Sequence, residues 1–164
     1  MGFENNSLGK EYSIKLNRFE KKIKKDRKYF TYRNVSDEEL IDIINQRGLD
    51  LLDTALEYIN PLISPNHGIN FNNRDDDLQM FDFDLYRPDV DLISEGMIVA
   101  YMDEEKIKLN TMEKYLGNDI KTYCPADERN SFMSMLETER NELDKKIDNY
   151  NMRDRITNKL LSAY

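Results

Sequence analysis

The sequence contains few of the residue types that define several common classes of protein. Its 164 residues include one cysteine, no tryptophan, six glycines and four prolines. The single Cys124 cannot form an internal disulfide, which excludes a disulfide-stapled scaffold and favours a protein that is intracellular or made in a reducing compartment. The glycines and prolines are too few for the many tight turns of an all-β domain. These shortages favour a mainly helical protein.

Long apolar runs and common ligand-binding motifs are also missing from the sequence. The longest apolar run is Met97–Met102, whereas a membrane-spanning helix needs roughly 20 such residues. The first ten residues, MGFENNSLGK, lack the apolar stretch of a signal peptide. The sequence has no GxxxxGK[ST] loop, no GxGxxG and no CxxC. We therefore expect neither a membrane span nor a nucleotide-binding loop.

Charge, by contrast, is plentiful and unevenly distributed along the chain. Residues 10–33 carry ten basic and three acidic residues, a net charge of +7. The remainder, from residue 34 onward, carries fourteen basic and twenty-eight acidic residues, a net charge of −14. Such a basic segment can bind nucleic acid, lie on the acidic face of a second copy, or form only the solvated side of a helix. The sequence leaves all three interpretations open.

The spacing of apolar residues predicts a mostly α fold, a helical bundle of about four helices. The first helix covers about 11–30, and the second begins at Ser36, where Ser36 and Glu39 form a capping box. The third runs from near Pro88 to Leu116, and the fourth is a long helix over about 126–150. Asp89 and Asp91 would favour the start of the third helix by opposing its dipole.

The helices define one domain with a tail at each end. We expect a helical domain at residues 10–150, an N-terminal tail at 1–9 and a C-terminal tail at 151–164. Within the domain, residues 61–85 are an inserted loop and extended segment. Residues 61–80 read as a polar connection without regular structure, and a loop of that length usually contacts something else.

The acidic stretch RDDDLQMFDFDLYRPDVD at residues 74–91 is the strongest candidate for chemistry. Its acids do not fall at the positions that an EF-hand calcium loop requires. Asp82 and Asp84 alternate with apolar residues, so they should lie on the wet face of an extended segment and not form a catalytic pair. The stretch divides into the loop charges Asp75–Asp77, an extended strip and a helix start.

Nucleophilic catalysis has equally little support in the sequence. Cys124 precedes a helix, where the dipole could favour a thiolate. The one histidine, His67, is 57 residues away in a polar loop. We therefore expect a protein that is not an enzyme, with no catalytic residue, no metal site and no cofactor.

Three stretches, read in order, resemble a known protein family. They are FTYRNVSDEELIDIINQRGLDLLDTALEYI, FDFDLYRPDVDLISEGMIVAYMDEEK and IKTYCPADERNSFMSMLETERNELDKKIDNYNMRDRITNK. Their order and spacing resemble those of the head–tail connector proteins, also called adaptor or neck proteins, of tailed bacteriophages of low-GC Gram-positive hosts. The resemblance covers roughly residues 10–160.

The resemblance implies a structural protein of the virion neck, made in the host cytoplasm. Such a subunit would assemble with copies of itself into a ring, commonly dodecameric, below the portal protein. The ring would extend the DNA channel, through which DNA passes without sequence-specific binding, and would offer a docking surface to the tail or a tail-completion protein. No membrane is involved. The 61–80 loop would face neighbouring subunits or the tail.

The resemblance also implies candidate contact residues. The C-terminal tail would reach the portal, through Arg153, Arg155, Leu160, Leu161 and Tyr164. The charged segments would form a subunit or channel surface, through Lys21, Lys24, Lys25, Asp75, Asp76 and Asp77.

The alternative function is a nucleic-acid-binding or regulatory helical protein that uses the basic N-terminal helix. Its contacts would be Lys21, Lys22, Lys24, Lys25, Arg27 and Lys28. The basic residues are not interleaved with aromatic residues as a stacking surface requires, and the net charge of the chain is −8. These two facts place the alternative second.

Overall fold

The computed structural model describes residues 9–12, 36–116 and 126–161. In these ranges the chain forms three long helices and a small antiparallel sheet, which confirms the mostly α prediction. The helices are α1 (Asp37–Ile59), α2 (Arg87–Leu116) and α3 (Ala126–Asn151). The strands are β1 (Gly9–Glu11), β2 (Arg74–Asp75) and β3 (Met80–Leu85).

Helix α1 begins as the sequence predicted. The Ser36 hydroxyl accepts a hydrogen bond from the backbone N–H of Glu39 at 3.3 Å, and the Glu39 carboxylate accepts one from the Ser36 N–H at 3.0 Å. This reciprocal pair is a capping box, which satisfies two backbone donors that the first turn would leave without partners. The helix ends at Ile59, immediately before a short 3₁₀ turn that contains Pro61.

Helix α2 is central, and α1 packs along it in the opposite direction. Arg47 in the middle of α1 contacts Glu104 at 3.1 Å, whereas Ile59 at its end lies over Gly96. A Cβ atom on Gly96 would lie 2.5 Å from Ile59 Cδ1 and 3.2 Å from the Cβ of Ala55. Glycine at this position therefore sets how closely the two helices approach.

Helix α3 also packs antiparallel to α2. Polar contacts join the two helices at three levels, pairing Arg129 with Glu113, Arg140 with Asp103, and Tyr150 with Asp89. Helices α1 and α3 flank α2, and the hydroxyl of Tyr58 donates to Asp144 across the groove between them at 2.6 Å.

The sheet caps one end of this helical layer. Its strand order is β1-β3-β2, and β3 pairs with both neighbours in antiparallel fashion. Phe81 and Leu85 of β3 are buried, and Asp82 is exposed. The predicted alternation of the FDFDL segment holds for Phe81, Asp82 and Leu85, whereas Asp84, predicted on the solvent face, is half-buried like Phe83.

Strand β1 replaces the start of the first predicted helix. Glu11 is the last residue of β1 and not a helical residue, and Gly9 pairs with Leu85 instead of belonging to a free tail. Next to it the buried Tyr12 packs on Phe81, with ring centroids 5.1 Å apart. The strand forms because its backbone pairs with the backbone N–H and C=O groups at the edge of β3. Apolar spacing along the sequence cannot reveal such a long-range pairing. The rest of the predicted 11–30 helix lies outside the described residues.

The prediction of an unstructured connection at residues 61–80 is wrong. It contains two 3₁₀ turns and β2, and Phe71 within it is fully buried. The Phe71 ring packs against those of Phe81 and Phe83, at 6.1 and 5.8 Å. Its backbone N–H donates to the side chain of Asn60 at 2.9 Å. The asparagines that look like loop residues therefore satisfy the backbone of a packed segment.

Residues 152–161, which the sequence predicted to be part of a C-terminal tail, fold into a compact hairpin. Arg153 pairs with Leu160, and the N–H of Leu161 donates to the carbonyl of Met152 at 2.8 Å. At the turn, the Asp154 carboxylate accepts hydrogen bonds from the N–H and hydroxyl of Thr157, both at 2.7 Å. We call residues 152–161 the C-terminal hairpin.

Candidate functional site

The C-terminal hairpin is anchored to the fold by a buried carboxylate, that of Asp89. Asp89 is the third residue of α2 and is completely buried. It accepts hydrogen bonds from the backbone N–H of Tyr86 at 2.7 Å and from the Tyr150 hydroxyl at 2.6 Å. It also accepts one from the guanidinium of Arg155 at 2.8 Å. A buried carboxylate needs such a full set of partners because its desolvation is costly.

Arg155 supplies the positive charge at this anchor. Its side chain is only 10% exposed, and its guanidinium carbon lies 5.4 Å from the ring centroid of Phe83 and 4.9 Å from that of Tyr86. The same guanidinium donates to the carbonyl oxygen of Asp84 at 2.6 Å. In this structure Arg155 therefore fastens the hairpin to the fold, and its role as a portal contact stays a prediction.

Tyr150 and His67 complete the anchor. Burial, followed by the charge of Asp89 and the hydrogen bond to it, raises the pKa of Tyr150 above its ordinary value of 10.0. The His67 ring packs on Tyr150 with centroids 4.6 Å apart. Burial and then the charge of Arg155 lower the pKa of His67, so this imidazole is neutral at pH 7. The predicted ordinary loop histidine is thus a packing residue of the anchor.

The anchored hairpin presents apolar side chains to solvent. Leu160 and Leu161, both predicted contacts, are 68% and 44% exposed. Met152 at 59% and Ile156 at 53% join them. Neither was among the predicted contacts; Met152 comes opposite Leu161 only when the chain turns back. Exposed apolar residues on a fixed support are typical of a protein interaction surface.

Two other residues of the tail, Arg153 and Tyr164, were also predicted portal contacts. The Arg153 guanidinium donates to the carbonyl of Asn158 within the hairpin at 3.0 Å. Tyr164 lies outside the described residues.

A cleft of about 660 Å³ separates the hairpin from the start of α2. Its lining includes the apolar residues Pro88, Leu92 and Ile156 and the basic residues Arg87 and Lys146.

Two of the three aspartates of the predicted acidic surface, Asp75 and Asp76, make contacts within the protein. Asp76 accepts a hydrogen bond from the Tyr12 hydroxyl at 2.8 Å and pairs with Arg74 at 3.1 Å. Asp75 accepts a hydrogen bond from the backbone N–H of Leu78 at 2.9 Å, which closes the turn between β2 and β3. All three aspartates remain exposed. Lys21, Lys24 and Lys25, predicted for the same surface, lie outside the described residues.

A second carboxylate cluster lies between α2 and α3, where the sequence analysis proposed nothing. Glu95, Glu139 and Glu142 bring one oxygen each within 4.8 Å of the others. Burial, together with the charges of Glu95 and Glu142, raises the pKa of Glu139. The Lys146 ammonium lies 2.7 Å from the buried Glu95 carboxylate and supplies positive charge there. Lys146 thus offsets part of the negative charge of this helix contact.

The comparisons with known proteins add no relatives. No family model, no curated protein and no solved structure matched the chain. Within the described ranges, no helix combines the length and the apolar content needed to cross a bilayer.

Proposed function

We propose that this protein is a structural subunit of a bacteriophage head–tail connector, which docks on the portal protein through its C-terminal hairpin. The observation that carries the proposal is the hairpin itself. Four apolar side chains stand exposed on an element that Arg155 and Asp89 fix to the core. A rigid apolar projection of this kind suits a docking role better than a catalytic one.

Rigidity supports the docking role energetically. A disordered tail would have to be ordered on binding, at about 0.5–1.5 kcal/mol for each immobilised side chain rich in rotamers. The internal hydrogen bonds of the hairpin, including those of Asp154 to Thr157, already provide that order. Binding energy from Leu160 and its neighbours is then available for affinity.

The charge of the described residues suits a DNA passage. They include twenty-eight acidic and fourteen basic side chains, a net charge of −14. An acidic channel wall repels phosphates and lets DNA slide without binding. The ring, its dodecameric form and the channel position of Asp75–Asp77 belong to the proposal.

Two substitutions of matched exposure test the docking role. Leu160 in the hairpin and Leu78 in the β2–β3 turn are both 68% exposed. We expect Leu160→Asp to abolish association with the cognate portal, seen by negative-stain imaging of the mixture, and Leu78→Asp to leave it intact. Both variants should unfold within about 0.5 kcal/mol of the parent, because neither side chain is buried.

Two results would count against the connector role. One is equal portal binding by the parent and Leu160→Asp. The other is affinity of the parent for duplex DNA that falls steeply with salt, which would favour the nucleic-acid-binding alternative.

A further inference from the structure

One face of α1 carries acidic residues and is exposed along its length, although Arg74 of β2 contacts it at Asp53 and Asp144 of α3 contacts it at Tyr58. Positions three and four residues apart fall on one side of an α-helix, and on this side every one of them is exposed. We call this side the acidic face, which consists of Glu39, Asp42, Ile43, Gln46, Asp50, Asp53, Thr54, Glu57 and Tyr58.

The acidic face carries five carboxylates with little local compensation. Among the described cations, Arg74 pairs with Asp53 at 2.6 Å. Arg47, although it belongs to α1, is directed to Glu104 and Glu105 of α2. The Asp50 carboxylate accepts a hydrogen bond from the neutral side chain of Gln46 at 3.1 Å. From Asp42 to Glu57 the face extends about 22 Å along the helix.

The chain contains one segment with the opposite charge and a suitable length. Residues 13–33 hold nine basic and two acidic residues, a net charge of +7. Their apolar residues Leu16, Phe19 and Ile23 recur at helical spacing. The acidic face offers apolar contacts as well, since Ile43 is 39% and Tyr58 46% exposed. The acidic face and the segment 13–33 thus carry opposite charges, and each also offers apolar side chains.

We propose that the acidic face of α1 binds the basic segment 13–33 of a second copy of this chain. The contact is heterologous, one surface meeting a different surface of the neighbour, as closed rings require. It deepens the connector proposal by naming the contact between subunits. Of the three interpretations that the charge asymmetry left open, it selects self-association.

The reach of the segment is sufficient for such a contact. Its flanks are held at Tyr12, which packs on Phe81 in the sheet, and at Ser36, which caps α1. Residues 13–35 between these points can extend outward by up to about 35 Å in a loop, at roughly 3.3 Å per residue. This exceeds the diameter of about 10–12 Å of a helix on a neighbouring copy.

The experiment reverses charges on the full chain and measures self-association by sedimentation velocity at several salt concentrations. The parent should associate, and added salt should weaken the association because it screens exposed charges. Asp50→Lys with Glu57→Lys should weaken association about tenfold at low salt. The control, Glu137→Lys with Asp148→Lys, makes the same change in net charge at exposed acids of α3, off this face, and should associate like the parent.

A reciprocal exchange identifies the partner surface. Lys21→Glu with Lys25→Glu should weaken association as much as the acidic-face variant does, and combining both pairs should restore it. Three outcomes overturn the inference: a parent that stays monomeric, equal weakening by the control, or failure of the combined variant to recover. A concentration-independent loss of thermal stability in a monomeric Lys21→Glu, Lys25→Glu variant would instead show that the segment lies on its own chain.

The outcome is separable from that of the connector proposal. A protein that associates through this face but ignores the portal retains the inference and loses the connector role. A protein that binds the portal through Leu160 but does not self-associate does the reverse.

Discussion

Replacement of Arg155 by methionine should release the C-terminal hairpin and destabilise the whole fold. The substitution keeps an apolar stem of similar length between Phe83 and Tyr86 but removes the guanidinium. The completely buried Asp89 then keeps its negative charge with no cation beside it, retaining only the hydrogen bonds from Tyr86 and Tyr150.

The expected cost follows from the burial of the pair. Removing one partner of a buried ion pair destabilises a protein by about 3–5 kcal/mol, because the other charge stays buried without compensation. For a chain of this size each kcal/mol lowers the midpoint of thermal unfolding by about 2–4 °C. We therefore expect Arg155→Met to unfold about 10 °C below the parent.

Urea unfolding followed by far-ultraviolet circular dichroism gives the free energies, and a double-mutant cycle isolates the pair. The double variant Asp89→Asn, Arg155→Met should recover more than half of the loss, since no buried charge remains. Limited proteolysis at Lys159 reports on the hairpin separately and should speed up in Arg155→Met. A loss below 1 kcal/mol, or strictly additive effects of the two substitutions, would refute the assignment of Arg155 as the anchor.

Three further predictions concern the helices and the anchor. Gly96→Ala should cost about 1–2 kcal/mol, because its methyl group would overlap Ile59, and adding Ile59→Val should return most of that loss in urea unfolding; no recovery would place the strain elsewhere. Ser36→Ala should lower stability by about 1 kcal/mol. Hydrogen bonds from Ser36 lower the pKa of Glu39 in the folded state below 4.5. The capping contribution to stability is therefore present above that pH and is lost as the pH falls, so the stability of the Ser36→Ala variant should decrease less in acid. Tyr150 has a raised folded pKa, so its contribution is complete below pH 10 and declines at higher pH. Tyr150→Phe should cost about 1–2 kcal/mol at pH 7 and flatten the alkaline decline in stability, and an unchanged alkaline slope would contradict this.

Local signals in the sequence predicted the helices well. The pair Ser36 and Glu39 located the start of α1, and apolar spacing located α2 and α3 to within about a turn. These signals work because capping and helix amphipathicity act between residues three or four positions apart. The alternation of FDFDL located β3 for the same reason, at a spacing of two.

Contacts between distant residues were out of reach. Asp89 and Arg155 are 66 positions apart. From the sequence, Asp89 was expected to stabilise the start of a helix, and Arg155 was expected to contact the portal from the C-terminal tail. Strand β1 has no alternation of its own and forms only because β3 offers it a partner. The turn of the hairpin did leave a local signal, since Asp154 three residues before Thr157, followed by an asparagine, is typical of a side-chain-capped turn. This local pattern predicts a turn at Asp154–Thr157 from the sequence alone.

The central position of α2 has a consequence for how the molecule opens. Because α1 and α3 each pack on α2 and face one another mainly across the Tyr58–Asp144 contact, either outer helix can detach while the other stays in place. Local opening of this kind sets the rate at which buried amides exchange with deuterium. Amides near Gly96 should therefore exchange most slowly of all, and those of α1 and α3 should exchange as two independent groups.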